Sequence, residues 1–197
     1  SPQTLYASVH VQGGRGWDSP PPSQKVHSNL AIVIRPFEES DRGFLTQSLE
    51  GLLDYLADLD AWKRLRRLPE FGDARFLELL EEIGQQDGVI LIAEVDGNPV
   101  GFAAGIINET DSAAALECYP IKCGNLLELF VEEDGRRLGV GKHLVERLEE
   151  HFLERGCTYV STEVFAPNTT ARSFYHNIGF VERDVCLMKP IAGKPLP

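Results

Sequence analysis

The stretch Arg136-Arg137-Leu138-Gly139-Val140-Gly141-Lys142 decides the fold, because it separates an apolar strand pattern at 126–131 from an amphipathic helix pattern that follows. Two glycines at i and i+2 let backbone N–H groups approach a ligand with no Cβ in the way. The helix that follows points its unpaired N–H groups and the positive end of its dipole at the same spot. Arg136, Arg137 and Lys142 add three cations, so the turn suits an anion, and pyrophosphate is the natural guest. A G-x-G alone is also what a plain strand-to-helix turn looks like. A P-loop is excluded, because no G-x-x-x-x-G-K-S/T occurs. A dinucleotide fingerprint fits poorly, since its third glycine is missing and the turn comes after four strands.

Working outward, residues 30–35 form a short β-rich run stopped by Pro36. Glu38, Glu39, Ser40 and Asp41 then supply an N-cap and first-turn acids. The helix they open carries the stripe Leu45, Leu49, Leu52, Leu53, Leu56 and Leu59. A second helix is predicted over 73–83, with Phe76, Leu79, Leu80 and Ile83 inward. Residues 89–95 and 100–107 read as two strands joined by the hairpin chemistry of Asp96-Gly97-Asn98. A long loop of small residues spans 108–124, and the strand at 126–131 leads into the turn. Val140, Leu144, Val145, Leu148 and Phe152 mark the next helix, which ends at Gly156. A strand at 158–165 follows, then a helix capped by Asn168 and carrying Ala171, Phe174, Tyr175 and Ile178. A last strand is expected at 180–188. The order β-α-α-β-β-β-α-β-α-β, without internal repeats, is a mixed α/β (α+β) sheet domain.

Composition narrows the function classes. The chain has 197 residues, 43% hydrophobic and 25% charged, the mix of a soluble globular domain. No apolar run exceeds five residues, which is too short for a membrane-spanning helix. A net charge of −11 argues against nucleic acid and anionic membranes as partners. Cys118, Cys123, Cys157 and Cys186 match no metal-ligand spacing, so no metal is expected. Four thiols and no secretion signal make the cytoplasm the expected compartment. Residues 1–29 read as a leader and linker, with Ser19-Pro20-Pro21-Pro22-Ser23 as the linker core. Within them Leu5, Ala7, Val9 and Val11 alternate like a strand that could add to a sheet edge in a neighbouring subunit, hence an expected homodimer; a plain leader is the alternative. The domain proper covers 30–190, with a tail at 191–197.

On these residues the chain resembles the GNAT superfamily of N-acetyltransferases. The turn is similar to that family's acyl-CoA signature, Q/R-x-x-G-x-G/A, read as Arg136-x-x-Gly139-x-Gly141. Asn168, Ala171, Tyr175, Gly179 and Phe180 look like its N-x-x-A-x-x-x-Y-x-x-x-G-F segment. The resemblance covers residues 30–190. It implies a GNAT-like fold with a splayed central strand pair and acetyl-CoA as co-substrate. It also implies direct attack by a primary amine in a ternary complex. A non-catalytic acyl-CoA sensor of the same fold is the alternative.

By the same resemblance, the backbone of Leu129, Phe130 and Val131 holds the pantetheine arm and polarises the thioester carbonyl. Arg137, Leu138, Gly139, Val140, Gly141 and Lys142 wrap the pyrophosphate, and Arg136 holds the turn as well as touching ligand. Asn168 contacts the cofactor arm or caps its helix. Tyr175 is the general acid for the departing thiolate. Glu128 and Glu163 are the candidate bases, with water as the third option. The acceptor is a small-molecule or peptide amine. The stripe Glu50, Asp54, Asp58 favours a cationic one if it faces the groove; a solvated helix face is the other reading. The loop at 108–124, with Glu109, Asp111, Glu117 and Tyr119, is the expected specificity element. No well-placed Cys supports a covalent acetyl-enzyme, although Cys123 lies close enough to the cleft strand to merit a check.

Overall fold

A computed structural model describes residues 31–191. The expected leader strand, the linker and the tail from 192 onward lie outside the described residues. The elements are β1 (Ile32–Pro36), α1 (Arg42–Leu59), α2 (Phe71–Gln85), β2 (Val89–Val95), β3 (Asn98–Glu109), β4 (Lys122–Val131), α3 (Val140–Glu154), β5 (Tyr159–Thr162) and α4 (Thr169–Asn177), with three single turns of 3-10 helix between them. The sheet order is β1-β2-β3-β4-β5, antiparallel except for the parallel pair β4–β5.

Both faces of the sheet are covered, which is why β2, β3 and β4 read as nearly continuous apolar runs. On one face Leu45, Leu49 and Leu52 of α1 and Phe76 and Leu79 of α2 pack on Ile90, Ile92, Phe102 and Phe130. On the other, Leu144, Leu148 and Phe152 of α3 and Tyr175 of α4 pack on Leu91, Ala103, Leu129 and Val131. The β2–β3 hairpin turns on Asp96 (φ 52°) and Gly97 (φ 78°), the paired left-handed conformation expected of an Asp-Gly turn. Arg35 ties β1 to the start of α1 and to β2, reaching Asp41 at 2.6 and 2.8 Å and Glu94 at 2.8 and 2.7 Å. The Arg35 hydrogen bonds hold the Asp41 carboxyl below its ordinary range.

Two expectations need correction. The sixth strand at 180–188 does not form: residues 181–190 make no regular structure, and Val181, Val185 and Leu187 are 84%, 71% and 88% exposed. Glu182, Arg183 and Asp184 break the alternation there, and Glu182 is drawn onto α4 by Arg172 and His176. The loop at 108–124 is shorter than expected, because β3 runs to Glu109 and pairs with Lys122 at the start of β4. Thr110 closes what remains, its hydroxyl bonding both the N–H and the carbonyl of Ile121.

Gly124 sits in β4 under α3. A Cβ added there would lie 2.2 Å from the ring of Phe152, which is 1% exposed and has nowhere to move. Gly124→Ala is expected to lower stability by about 1–3 kcal/mol through overpacking. Chemical denaturation checks this, and an unchanged midpoint would contradict the packing described.

Candidate active site

The site begins with a mismatch in strand pairing. β4 pairs with β3 along nearly its whole length, but the register jumps: Gly105 opposes Leu126, whereas Ala104 opposes Glu128. Leu127 is the extra residue of a β-bulge, which turns the strand and sets Leu127 and Glu128 both towards α1 and α2. On its other side β4 pairs with β5 only from Cys123 to Leu126. Beyond that point the two strands part, leaving a gap beside residues 127–131, which stay paired to β3 from Glu128 onward.

The turn that closes the mouth of this gap is held from within. Arg136 donates from Nε to the Val131 carbonyl at 3.2 Å, so this arginine secures the turn. Arg137 and Gly139 both take left-handed conformations, φ 62° and 87°. Gly139 is the N-cap of α3 and offers no side chain to cap it, so the first N–H groups of the helix lack an intrahelical or capping partner. Arg137, Leu138 and Lys142 are exposed, whereas Val140 is buried in the core. A groove of about 410 Å³ continues between α3 and α4, lined by Lys142, Val145, Phe174 and Ile178 among others.

Across the gap stands α4. Asn168 is fully buried and caps the helix by accepting from the Ala171 N–H at 3.0 Å. Its Oδ1 also lies 3.4 Å from the Tyr55 hydroxyl of α1. Tyr175 is 3% exposed and packs edge-on against Phe174 and Phe180. Its hydroxyl is buried and makes no well-formed hydrogen bond among the described residues, although the Thr162 hydroxyl, which donates to the Leu126 carbonyl at 3.1 Å, lies near enough to act on it. Burial pushes the phenol's proton affinity up, so Tyr175 keeps its proton.

Glu128 is 4% exposed beneath α2. Arg75 reaches its Oε1 with both Nε and Nη2, each at 3.1 Å. Burial pushes the Glu128 carboxyl up to about 7, Arg75 opposes that shift, and Glu82 and Glu78 reinforce it. Glu163, by contrast, is exposed one residue past β5. Cys123 lies at the closed end of the β4–β5 pair, its Sγ 3.6 Å from the Ser161 hydroxyl. The acidic stripe of α1 is partly offset: Arg67 pairs with Asp54 at 2.8 Å and Glu50 at 3.3 Å, while Asp58 is exposed and makes no ion pair among the described residues. Arg75, Tyr55 and the bulge escape the sequence patterns. The signal for Arg75 was a charge standing on the apolar stripe of α2 between Gly72, Phe76 and Leu79.

These features fit an acyl-CoA: the N-terminal N–H groups of α3 and nearby cations for a diphosphate, a strand edge parted from its neighbour for an amide-bearing arm, and a buried tyrosine hydroxyl. Among the described residues no group of three or more His, Cys, Asp or Glu is placed to hold a metal, and no helix is long and apolar enough to cross a membrane.

Residues 49–180 match the model of the acetyltransferase (GNAT) family. An uncharacterised N-acetyltransferase of Archaeoglobus fulgidus is 35% identical over 129 residues, covering 66% of this chain and 76% of that one. Glucosamine 6-phosphate N-acetyltransferase 1 of Oryza sativa subsp. japonica is 31% identical over 159 residues, 79% of this chain and 84% of that one. The chain spans only 52% and 42% of two N-acetyltransferases of Methanocaldococcus jannaschii that it also matches. The solved structure of AAC(6')-Iy in complex with a CoA bisubstrate analogue superposes with a TM-score of 0.58 at 19% identity. That match covers 83% of this chain and 99% of that one, a likeness of fold.

The capping role of Asn168 gives a direct check. Asn168→Ala is expected to lower the unfolding free energy by about 1–2 kcal/mol in urea titrations, through loss of the cap. Equal stability of the alanine variant and the parent would remove the cap from the account.

Proposed function

The chain belongs to the GNAT acetyltransferase family, and on that footing we propose that it transfers the acetyl group of acetyl-CoA to a primary amine by direct attack in a ternary complex. The Tyr175 hydroxyl carries this reading. Buried, with no better neighbour than the Thr162 hydroxyl, it is free to turn to a ligand sulfur at the end of the β4 edge. The thioester brings an activated acetyl group and a thiol leaving group; the chain's residues do the rest. Arg137, Leu138, Gly139, Val140, Gly141 and Lys142 hold the diphosphate, with Arg136 bracing their turn. Backbone N–H groups within Leu129, Phe130 and Val131, already oriented by the β3 ladder, polarise the acyl oxygen. Asn168 fixes the start of α4 beside the arm.

Glu128 takes the proton from the amine, and Tyr175 gives one to the departing sulfur. One proton leaves nitrogen and one reaches sulfur as the C–N bond forms and the C–S bond breaks; both side chains reset by exchange with water. Burial suits each to its task. It keeps the proton on Tyr175 until sulfur takes it, and it brings the proton affinity of Glu128 close to neutral pH. Glu163 is the weaker base, since an exposed carboxylate gains nothing from its surroundings.

For the acceptor, the rice relative acts on glucosamine 6-phosphate by its name, which puts amino sugars first among amines to test. Arg67 offsets one of the three negative charges on the Glu50, Asp54, Asp58 stripe, so that face keeps a net negative charge and still favours a cationic amine. The setting proposed is the cytoplasm, consistent with four free thiols, with the chain acting as a homodimer.

Incubation with acetyl-CoA and a pool of amino sugars, aminoglycosides, polyamines, amino acids and peptides is expected to give a product heavier by about 42 Da in mass spectra, one acetyl on one nucleophile. Tyr175→Phe should lower its turnover by about 10²–10⁴ while CoA affinity, measured by calorimetry, stays the same. CoA binding with no product from any amine would favour a sensor. No binding at all would overturn the assignment.

A further inference from the structure

Arg75 is the one buried cation among the described residues. Its grip on a single carboxylate oxygen is the one Arg35 uses on Glu94 and Arg172 on Glu182, but only here is the carboxylate itself buried. Here Nε and Nη2 both converge on Oε1 of Glu128, leaving Oε2 with no hydrogen bond among the described residues. The remaining nitrogen, Nη1, bonds Glu78 at 2.9 Å and Glu82 at 3.1 Å. One cation thus serves three carboxylates in a largely buried position, an arrangement that burial energetics alone do not favour. Glu128 itself stands on the bulge where β4 is about to leave β5.

We infer that Arg75 is a positioning residue for acetyl transfer: it grips Glu128 by Oε1, keeps Oε2 as the oxygen that receives the proton, and through Glu78 and Glu82 sets how readily it does so. The inference rests on Glu128 being the proton acceptor. The charged and titratable groups acting on Glu128 are Arg75, Glu78 and Glu82 from α2, and Tyr175, which stays neutral, from α4. Their balance has two sides. Arg75 favours the carboxylate, whereas Glu82 and Glu78, neither bonded to Glu128, favour the acid.

Two variants push in opposite directions. Arg75→Lys keeps a charge but loses the double grip, so Glu128 should bind its proton more tightly. Glu82→Gln removes a neighbouring negative charge without touching Glu128, so Glu128 should bind it less tightly. The titration is read directly in full-length protein carrying ¹³C-labelled glutamate, following the side-chain carboxyl resonance that Glu128→Gln deletes. Its midpoint should rise in Arg75→Lys and fall in Glu82→Gln, each by about threefold or more in proton affinity. Acetylation of whichever pooled amine reacts should drop about tenfold in Arg75→Lys at pH 7 and largely recover at pH 9. A midpoint that neither variant moves, or a loss of equal size at every pH, overturns the inference. Full activity in Glu128→Gln would instead overturn Glu128 as the proton acceptor, which separates the two failures.

Discussion

The molecule depends on one inequality of pairing: β4 is laddered to β3 for nearly its whole length, but to β5 for only four positions. A strand held on one side and released on the other exposes backbone groups that normally must be satisfied. In the proposed reading, groups oriented by the β3 ladder meet the acyl-CoA arm where β5 departs. The bulge at Leu127 starts the departure, and α3 and α4 then cover opposite sides of the gap, with the uncapped N-terminus of α3 at its mouth. Neither the turn at 136–142 nor Tyr175 would form a site without that parting of strands.

Burial drives the chemistry at both ends of the proposed proton path. Tyr175 and Glu128 are each less than 5% exposed, and in both desolvation is the largest influence on proton affinity. For a phenol this makes a donor that does not ionise prematurely. For a carboxylic acid it makes a base that works near neutrality instead of near its ordinary range. Arg75 opposes that burial, pulling the proton affinity of Glu128 back down.

Much of this was legible in the sequence, and the misses share a cause. The glycine turn, α3 and α4 carry local signals: periodicity, caps and a left-handed glycine. β4 reads as an apolar strand in either register, so nothing in Leu126, Leu127, Leu129, Phe130 and Val131 reveals a bulge. The pairing of Arg67 with Glu50 and Asp54 joins residues 13 and 17 positions apart across a helix–helix connection, out of reach of any helical repeat. Residues 180–188 show the reverse failure. Val185 and Leu187 look like a strand, but strand pairing needs a neighbour, and Glu182 is tied to α4 by Arg172 instead. Arg75 was visible only as an anomaly on an apolar stripe, and its meaning came from Glu128, 53 residues away.

The most direct test of the central claim is a crystal structure of the protein with CoA bound. The account predicts the pantetheine arm along the open edge of residues 127–131, the diphosphate at the N-terminus of α3, and the CoA sulfur within hydrogen-bond reach of the Tyr175 hydroxyl. CoA seated elsewhere, or in the gap with its sulfur turned away from Tyr175, would contradict it.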